Sequence, residues 1–109
     1  MTTQLPVVGQ PRLDLRPPDV AAAVDAAALL ADPSRAAILG LLADGPVCVC
    51  EMAAAIGARE NNVSNHLAKL REAGLVRATR HEANARFQYY ERDEAAVATA
   101  RAALADLLR

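Results

Sequence analysis

Gly57 falls between two short segments, residues 49–56 and 60–74, whose apolar side chains recur at helical rather than strand spacing. At about 100° per residue, Val63, Leu67 and Leu70 gather on one side of the second segment. Asn61, Asn65, Lys69 and Glu72 turn to the other side, with Asn62 and Ser64 on the flanks. A chain with this pattern is committed to two helices joined by a tight turn, the apolar side of the second buried and its polar side outward. Gly74 suits the left-handed position that ends such a helix.

The flanking segments extend this pattern into a domain. Residues 1–18 hold Pro6, Pro11, Pro17 and Pro18 with no apolar period, so a disordered arm is expected there, with the folded domain over 19–109. Asp19 can cap a first helix in which Val20, Val24, Ala27, Ala28 and Ala31 form the apolar face. Asp32-Pro33-Ser34 closes it, and Asp32 or Ser34 can cap a second helix through Ile38, Leu39, Leu41 and Leu42, ended by Asp44-Gly45-Pro46. The third helix is expected over 49–56, with Glu51 in its first turn.

Residues 75–80 and 85–90 read as two strands, with Phe87 and Tyr89 on one face and Arg86, Gln88 and Tyr90 on the other. His81, Glu82, Ala83 and Asn84 make the hairpin tip. From Asp93 onward, Val97, Ala100, Leu104, Leu107 and Leu108 form the stripe of a last helix. The expected fold is mainly α with a small β-hairpin, in the order four helices, two strands, one helix: a winged helix-turn-helix.

Composition agrees with helices. The chain is 53% hydrophobic but has only two Tyr, one Phe and no Trp, so the core must come from Ala, Leu and Val packed closely. A single domain of 109 residues buries roughly two-thirds of its unfolded surface, and dimerisation is a natural source of further stability. Pairing of the first and last helices with those of a second chain is the expected route to a homodimer. The longest apolar run, residues 20–31, is broken by Asp25, too short for a membrane span, and the amino terminus has no basic-then-apolar signal. A cytoplasmic protein with Cys48 and Cys50 as free thiols is expected.

The net charge of −1 conceals an asymmetry. Residues 59–92 carry seven cationic side chains against four anionic ones, and the rest carries five against nine. Positive charge thus concentrates around the polar helix and the hairpin, where phosphate contacts would be wanted. Asn pairs bidentately with adenine in the major groove, and Ser and Lys reach bases or phosphates. A polar second helix after a short turn is the part that enters the groove in helix-turn-helix proteins. The expected contacts to double-stranded operator DNA are Arg59, Asn61, Asn62, Ser64, Asn65, His66 and Lys69, with Arg80, His81 and Arg86 on the hairpin. Catalysis has no candidates: the chain lacks a glycine-rich phosphate loop, a paired carboxylate site and a nucleophile with a positioned base.

Cys48 and Cys50 precede and begin the third helix. In regular helix they would stand about 200° apart, so both can meet one ion only if Cys48 lies before or at the irregular first turn, which the Gly45-Pro46 break permits. A helix start also lowers a thiol's pKa, favouring the thiolate that metals bind and oxidants attack.

LADPSRAAIL, VCVCEMAAAIG, NNVSNHLAKLREAGLV and RFQYYE, in that order over residues 30–91, resemble the ArsR/SmtB family of metal-responsive regulators. The resemblance implies a homodimer that binds palindromic operator DNA as a repressor and releases it when a metal or metalloid binds. It places the sensing motif at Cys48-Val49-Cys50-Glu51. Ala53 stands where arsenite-sensing relatives carry a third cysteine, the arm has neither Cys nor His, and residues 92–109 have no His for a terminal-helix zinc site. Glu51, Asp14 and Asp19 are the remaining candidates to complete a coordination sphere. Soft thiolates favour arsenite or cadmium, with zinc or nickel if nitrogen or oxygen ligands are recruited. Control by thiol oxidation, by a partner protein, or by nothing at the cysteines stays open as the alternative.

Overall fold

The computed structural model describes residues 15–80 and 87–109. Its elements are α1 (Ala21–Leu30), α2 (Pro33–Leu41), β1 (Val47–Cys48), α3 (Val49–Ile56), α4 (Glu60–Glu72), β2 (Val76–Thr79), β3 (Tyr89–Arg92) and α5 (Glu94–Leu108). α2, α3 and α5 begin where short side-chain acceptors satisfy free amides. Asp32 accepts from the amides of Ser34 at 2.8 Å and Arg35 at 3.1 Å, and Pro33 takes the first helical position, where a missing N–H costs nothing. Asp93 caps α5 through the Ala96 amide at 3.0 Å. The two glycines expected to end helices do so with positive φ, 69° at Gly57 after α3 and 80° at Gly74 after α4.

The core lies where α2, α3 and α4 meet. Ile38 and Leu42, Val49, Met52 and Ala53, and Val63, Leu67 and Leu70 form one buried cluster, closed by Leu75, Val76, Tyr90 and Val97. Each fully buried aliphatic side chain contributes about 1.5–3 kcal/mol of transfer free energy, so the three inward residues of α4 anchor it firmly. Arg35 Nε donates to the Leu29 carbonyl at 2.6 Å and ties the end of α1 to the start of α2.

The sheet differs from the expected hairpin by one strand. β1 pairs antiparallel with β3, and β3 with β2, giving the order β1-β3-β2. The second hairpin strand also sits later than expected, at Tyr89–Arg92 rather than 85–90, and Tyr90 is its buried residue. Arg77 and Glu91 pair across β2 and β3 at 2.8 Å. The result is a winged helix-turn-helix with α3 and α4 as the helical unit and β2 and β3 as the base of the wing.

α1 turns only part of its apolar surface into the chain. Its buried residues are Ala23 and Ala26, whereas Val24 is 51% exposed and Ala27, Ala28 and Ala31 lie at the surface. α1 packs on α5 through its smallest side chains, because the close approach of two Ala-rich helices requires them. The expected apolar face is therefore left largely outward in the single chain. Among the described residues no helix is long and apolar enough to cross a membrane.

Candidate DNA-reading and thiol site

α4 presents its polar side chains as its spacing requires. Val63, Leu67 and Leu70 are each 0% exposed, while Asn61, Asn62, Asn65 and Lys69 are exposed and Ser64 is half-buried. Arg59 occupies the N-cap of α4 without capping it, so an exposed cation stands beside the free amides of the helix start, where an anion is favoured. Arg80 follows β2 and is exposed. His81 and Arg86, the other two expected contacts of the wing, lie outside the described residues.

His66 is half-buried, and its Nδ1 is buried without a hydrogen-bond partner among the described residues. One ring nitrogen thus faces the protein. The Asp32 carboxyl is held below the usual range, chiefly by the Arg35 amide, with burial acting against this and a smaller Coulombic contribution from His66. The signal for this was available: around α4, His66 lies about 40° from Leu70 but about 100° from Asn65, so it belongs to the edge of the apolar face.

The two cysteines are arranged as one capping unit. Cys48 precedes α3 in extended backbone and its Sγ accepts from the Cys50 amide at 3.3 Å, while Glu51 Oε1 accepts from the Cys48 amide at 3.2 Å. Cys48 therefore sits before the first turn of α3, in extended backbone. Cys48 is only 2% exposed and Cys50 is half-buried. The helix start was expected to lower a thiol's pKa, but Cys50 is shifted upward, first by its hydrogen bond with the Cys48 side chain and then by desolvation. A neighbouring thiol outweighs the helix amides here.

Among the described residues no group of three or more His, Cys, Asp or Glu side chains is gathered that could hold a metal. Glu51 instead engages the Cys48 amide, Asp19 accepts from Ala21 at the start of α1, and Asp14 lies outside the described residues. The described residues thus offer an ion two thiols.

Two apolar clefts flank α5. One, of about 470 Å³, lies against α1 with Ala26, Leu29 and Ala100 in its wall; the other, of about 320 Å³, has Leu30, Leu39 and Leu104. Leu107 and Leu108 are exposed, Leu108 at the edge of the second cleft.

Residues 32–78 match the family described as bacterial regulatory proteins, arsR family. The chain is 52% identical over 50 residues to the HTH-type transcriptional regulator CmtR of Mycobacterium tuberculosis, covering 46% of this chain. That stretch spans only 42% of CmtR. Among solved structures, a possible transcriptional regulator for arsenical resistance superposes with a TM-score of 0.69 and 33% identity, over 78% of this chain and 85% of that one. Reduced HlyU from Vibrio cholerae gives 0.63 and 28%, over 74% of this chain and 83% of that one.

Proposed function

The chain belongs to the arsR family of bacterial regulatory proteins, and from that premise we propose that it is a transcriptional repressor whose hold on operator DNA is controlled by a metal or metalloid ion at Cys48 and Cys50. It is a regulatory protein and not an enzyme. The observation that carries the DNA half is the division of α4. Val63, Leu67 and Leu70 are wholly buried, and a surface of Asn61, Asn62, Asn65 and Lys69 is left free to enter a major groove. Arg59 at the start of α4 and Arg80 after β2, both exposed cations, are the proposed phosphate contacts beside that groove. Ser64 and the outward side of His66, with His81 and Arg86 of the wing, complete the proposed contacts.

Support for the sensing half comes from the Cys48–Cys50 unit, which offers two soft donors at the start of the helix that packs on α4. Arsenite and cadmium are the favoured effectors because thiolate donors select soft ions. The names of two relatives point the same way: ArsR1 of Pseudomonas putida is an arsenic resistance regulator, and an Escherichia coli relative is an arsenical resistance operon repressor. A carboxylate from Glu51, Asp14 or Asp19, a water, a backbone atom or a small thiol would complete the coordination, and cytoplasm is the proposed compartment. The exposed apolar face of α1 and the clefts beside α5 support a homodimer built through the terminal helices.

The test is operator binding by the full chain, with DNA selected from a random duplex pool, before and after addition of arsenite or cadmium. Release is expected in the native chain and not in Cys48→Ser or Cys50→Ala. Equal release in both variants would remove the thiols from sensing, and indifference of DNA binding to Asn65→Ala and Lys69→Ala would remove α4 as the reader.

A further inference from the structure

We infer that His66 contributes a neutral donor to DNA binding, its Nε2–H reaching a phosphate oxygen at the wall of the groove while the buried Nδ1 keeps its lone pair. This rests on the reading of α4 as the DNA-reading helix, and it names the atom, the proton and the acceptor at one position of that helix.

Place on the helix sets the geometry. At about 100° per residue, His66 stands between Asn62, about 40° to one side and exposed, and Leu70, about 40° to the other and wholly buried. Asn65, at the centre of the polar face, is about 100° away. A side chain at that border has one edge against the protein and the other at the surface, and His66 is half-buried. A helix in the major groove turns the middle of its polar face to base edges, so the borders of that face run along the phosphate strands that wall the groove.

The inward edge bears on the proton. His66 Nδ1 is buried without a hydrogen-bond partner, and among the described residues no other buried side-chain nitrogen or oxygen is left so. Neutral imidazole carries one N–H and one bare nitrogen, so a proton at Nδ1 would leave a buried donor unpaired and turn a bare Nε2 outward. α2 packs on α4, and its N-cap residue Asp32, whose carboxyl is held down chiefly by the Arg35 amide, also feels His66. That carboxylate does not take the ring proton: Oδ1 accepts from the amides of Ser34 and Arg35, and neither oxygen is bonded to Nδ1.

The outward edge meets a polyanion. A bare nitrogen there would oppose the lone pairs of a phosphate oxygen, whereas an N–H is drawn to them. Both edges therefore require the same tautomer, with the proton on Nε2. Such a donor holds a phosphate without adding charge, and in this it differs from Lys69 on the same helix: it releases no counterion from the DNA.

Two measurements on the full chain test this. Long-range proton–nitrogen NMR of the histidine ring at pH 8 reads the tautomer, free and bound to a duplex selected from a random pool. Equilibrium binding compares His66→Gln, whose amide nitrogen falls near the place of Nε2, with His66→Asn, whose amide falls near that of Nδ1. The expected result is a bare Nδ1 and a protonated Nε2 whose proton exchanges more slowly in the complex. His66→Gln should bind within about threefold of the native chain, and His66→Asn should lose about tenfold or more on all sequences alike, with an unchanged salt slope. A proton on Nδ1, or an Nε2 proton that DNA leaves unprotected, overturns the inference whether or not the variants fold. Equal affinities of the two variants overturn the donor role, and loss confined to one base position overturns the phosphate as acceptor. A salt slope reduced by about one in His66→Asn overturns the neutral state. Indifference of binding to Asn65→Ala and Lys69→Ala removes α4 as the reader and this inference with it. Losses in those two, beside equal affinities of His66→Gln and His66→Asn, remove this inference alone.

Discussion

The sulfur of Cys48 accepts the backbone N–H of Cys50 at 3.3 Å, so one thiol of the pair caps the helix that carries the other. The consequence is a separation of two properties that a single substitution would otherwise confound. Cys48→Ala should lower unfolding stability by about 1 kcal/mol through loss of the cap. Cys48→Ser should retain it, because a hydroxyl is a stronger acceptor than sulfur. Urea denaturation of both variants checks this, with equal midpoints counting against a capping role.

Effector affinity should rise with pH. Cys50 is shifted above the ordinary thiol range, so near neutral pH its proton must leave when an ion binds. Below that raised value, affinity for cadmium is expected to climb by about tenfold per pH unit for each proton displaced. Calorimetric titration in buffers of different ionisation enthalpy gives the proton count, and a flat profile from pH 6 to 8 would contradict it.

Lys69 and Asn65 should fail differently in DNA binding. Lys69→Ala should weaken all sequences alike and reduce the slope of log affinity against log salt by about one. Asn65→Ala should relax preference at one base position, at a cost of about 1–3 kcal/mol for the preferred base alone. Both side chains are exposed, so thermal unfolding of either variant should match the native chain.

At Gly57 the backbone φ is 69°, and a Cβ added there would meet nothing within 4 Å. Gly57→Ala therefore tests conformation without a steric clash. A loss of about 1–2 kcal/mol is expected from forcing an L residue into the left-handed region. The turn between α3 and α4 depends on it, so operator affinity should fall in step with stability.

Asp32 gives the acid side of the stability curve a recognisable contribution. Its folded pKa is lowered, chiefly by the Arg35 amide, so the cap stabilises above the ordinary carboxyl range and is lost as pH falls through the lowered value. Asp32→Asn keeps a capping oxygen and should flatten that part of the profile. An unchanged slope would place the acid transition elsewhere.

Much of the fold was legible in the chain. The bounds of α3 at 49–56, the turn at Gly57, the start of α4 at Glu60 and the stop at Gly74 were each announced by local chemistry. So was the polar face of α4, because helical spacing alone separates Asn61, Asn65 and Lys69 from Val63, Leu67 and Leu70. β1 was not legible: two residues are too short for a period, and their partners lie some forty positions away in β3. Which face of α1 packs within the chain was not legible, because an Ala-rich segment looks apolar on every side, and only its neighbour α5 selects Ala23 and Ala26. The upward shift of Cys50 follows from where the Cys48 sulfur points, which spacing leaves open.

The sequence by itself determined the elements whose causes lie within a few residues: capped and glycine-ended helices, a polar helix face, and two thiols at a helix start. Tertiary structure decided what those elements touch. It buried Cys48, paired its strand with the wing and turned Val24 outward, because such placements depend on partners distant in the chain, and no local pattern of side chains encodes which distant surface will cover them.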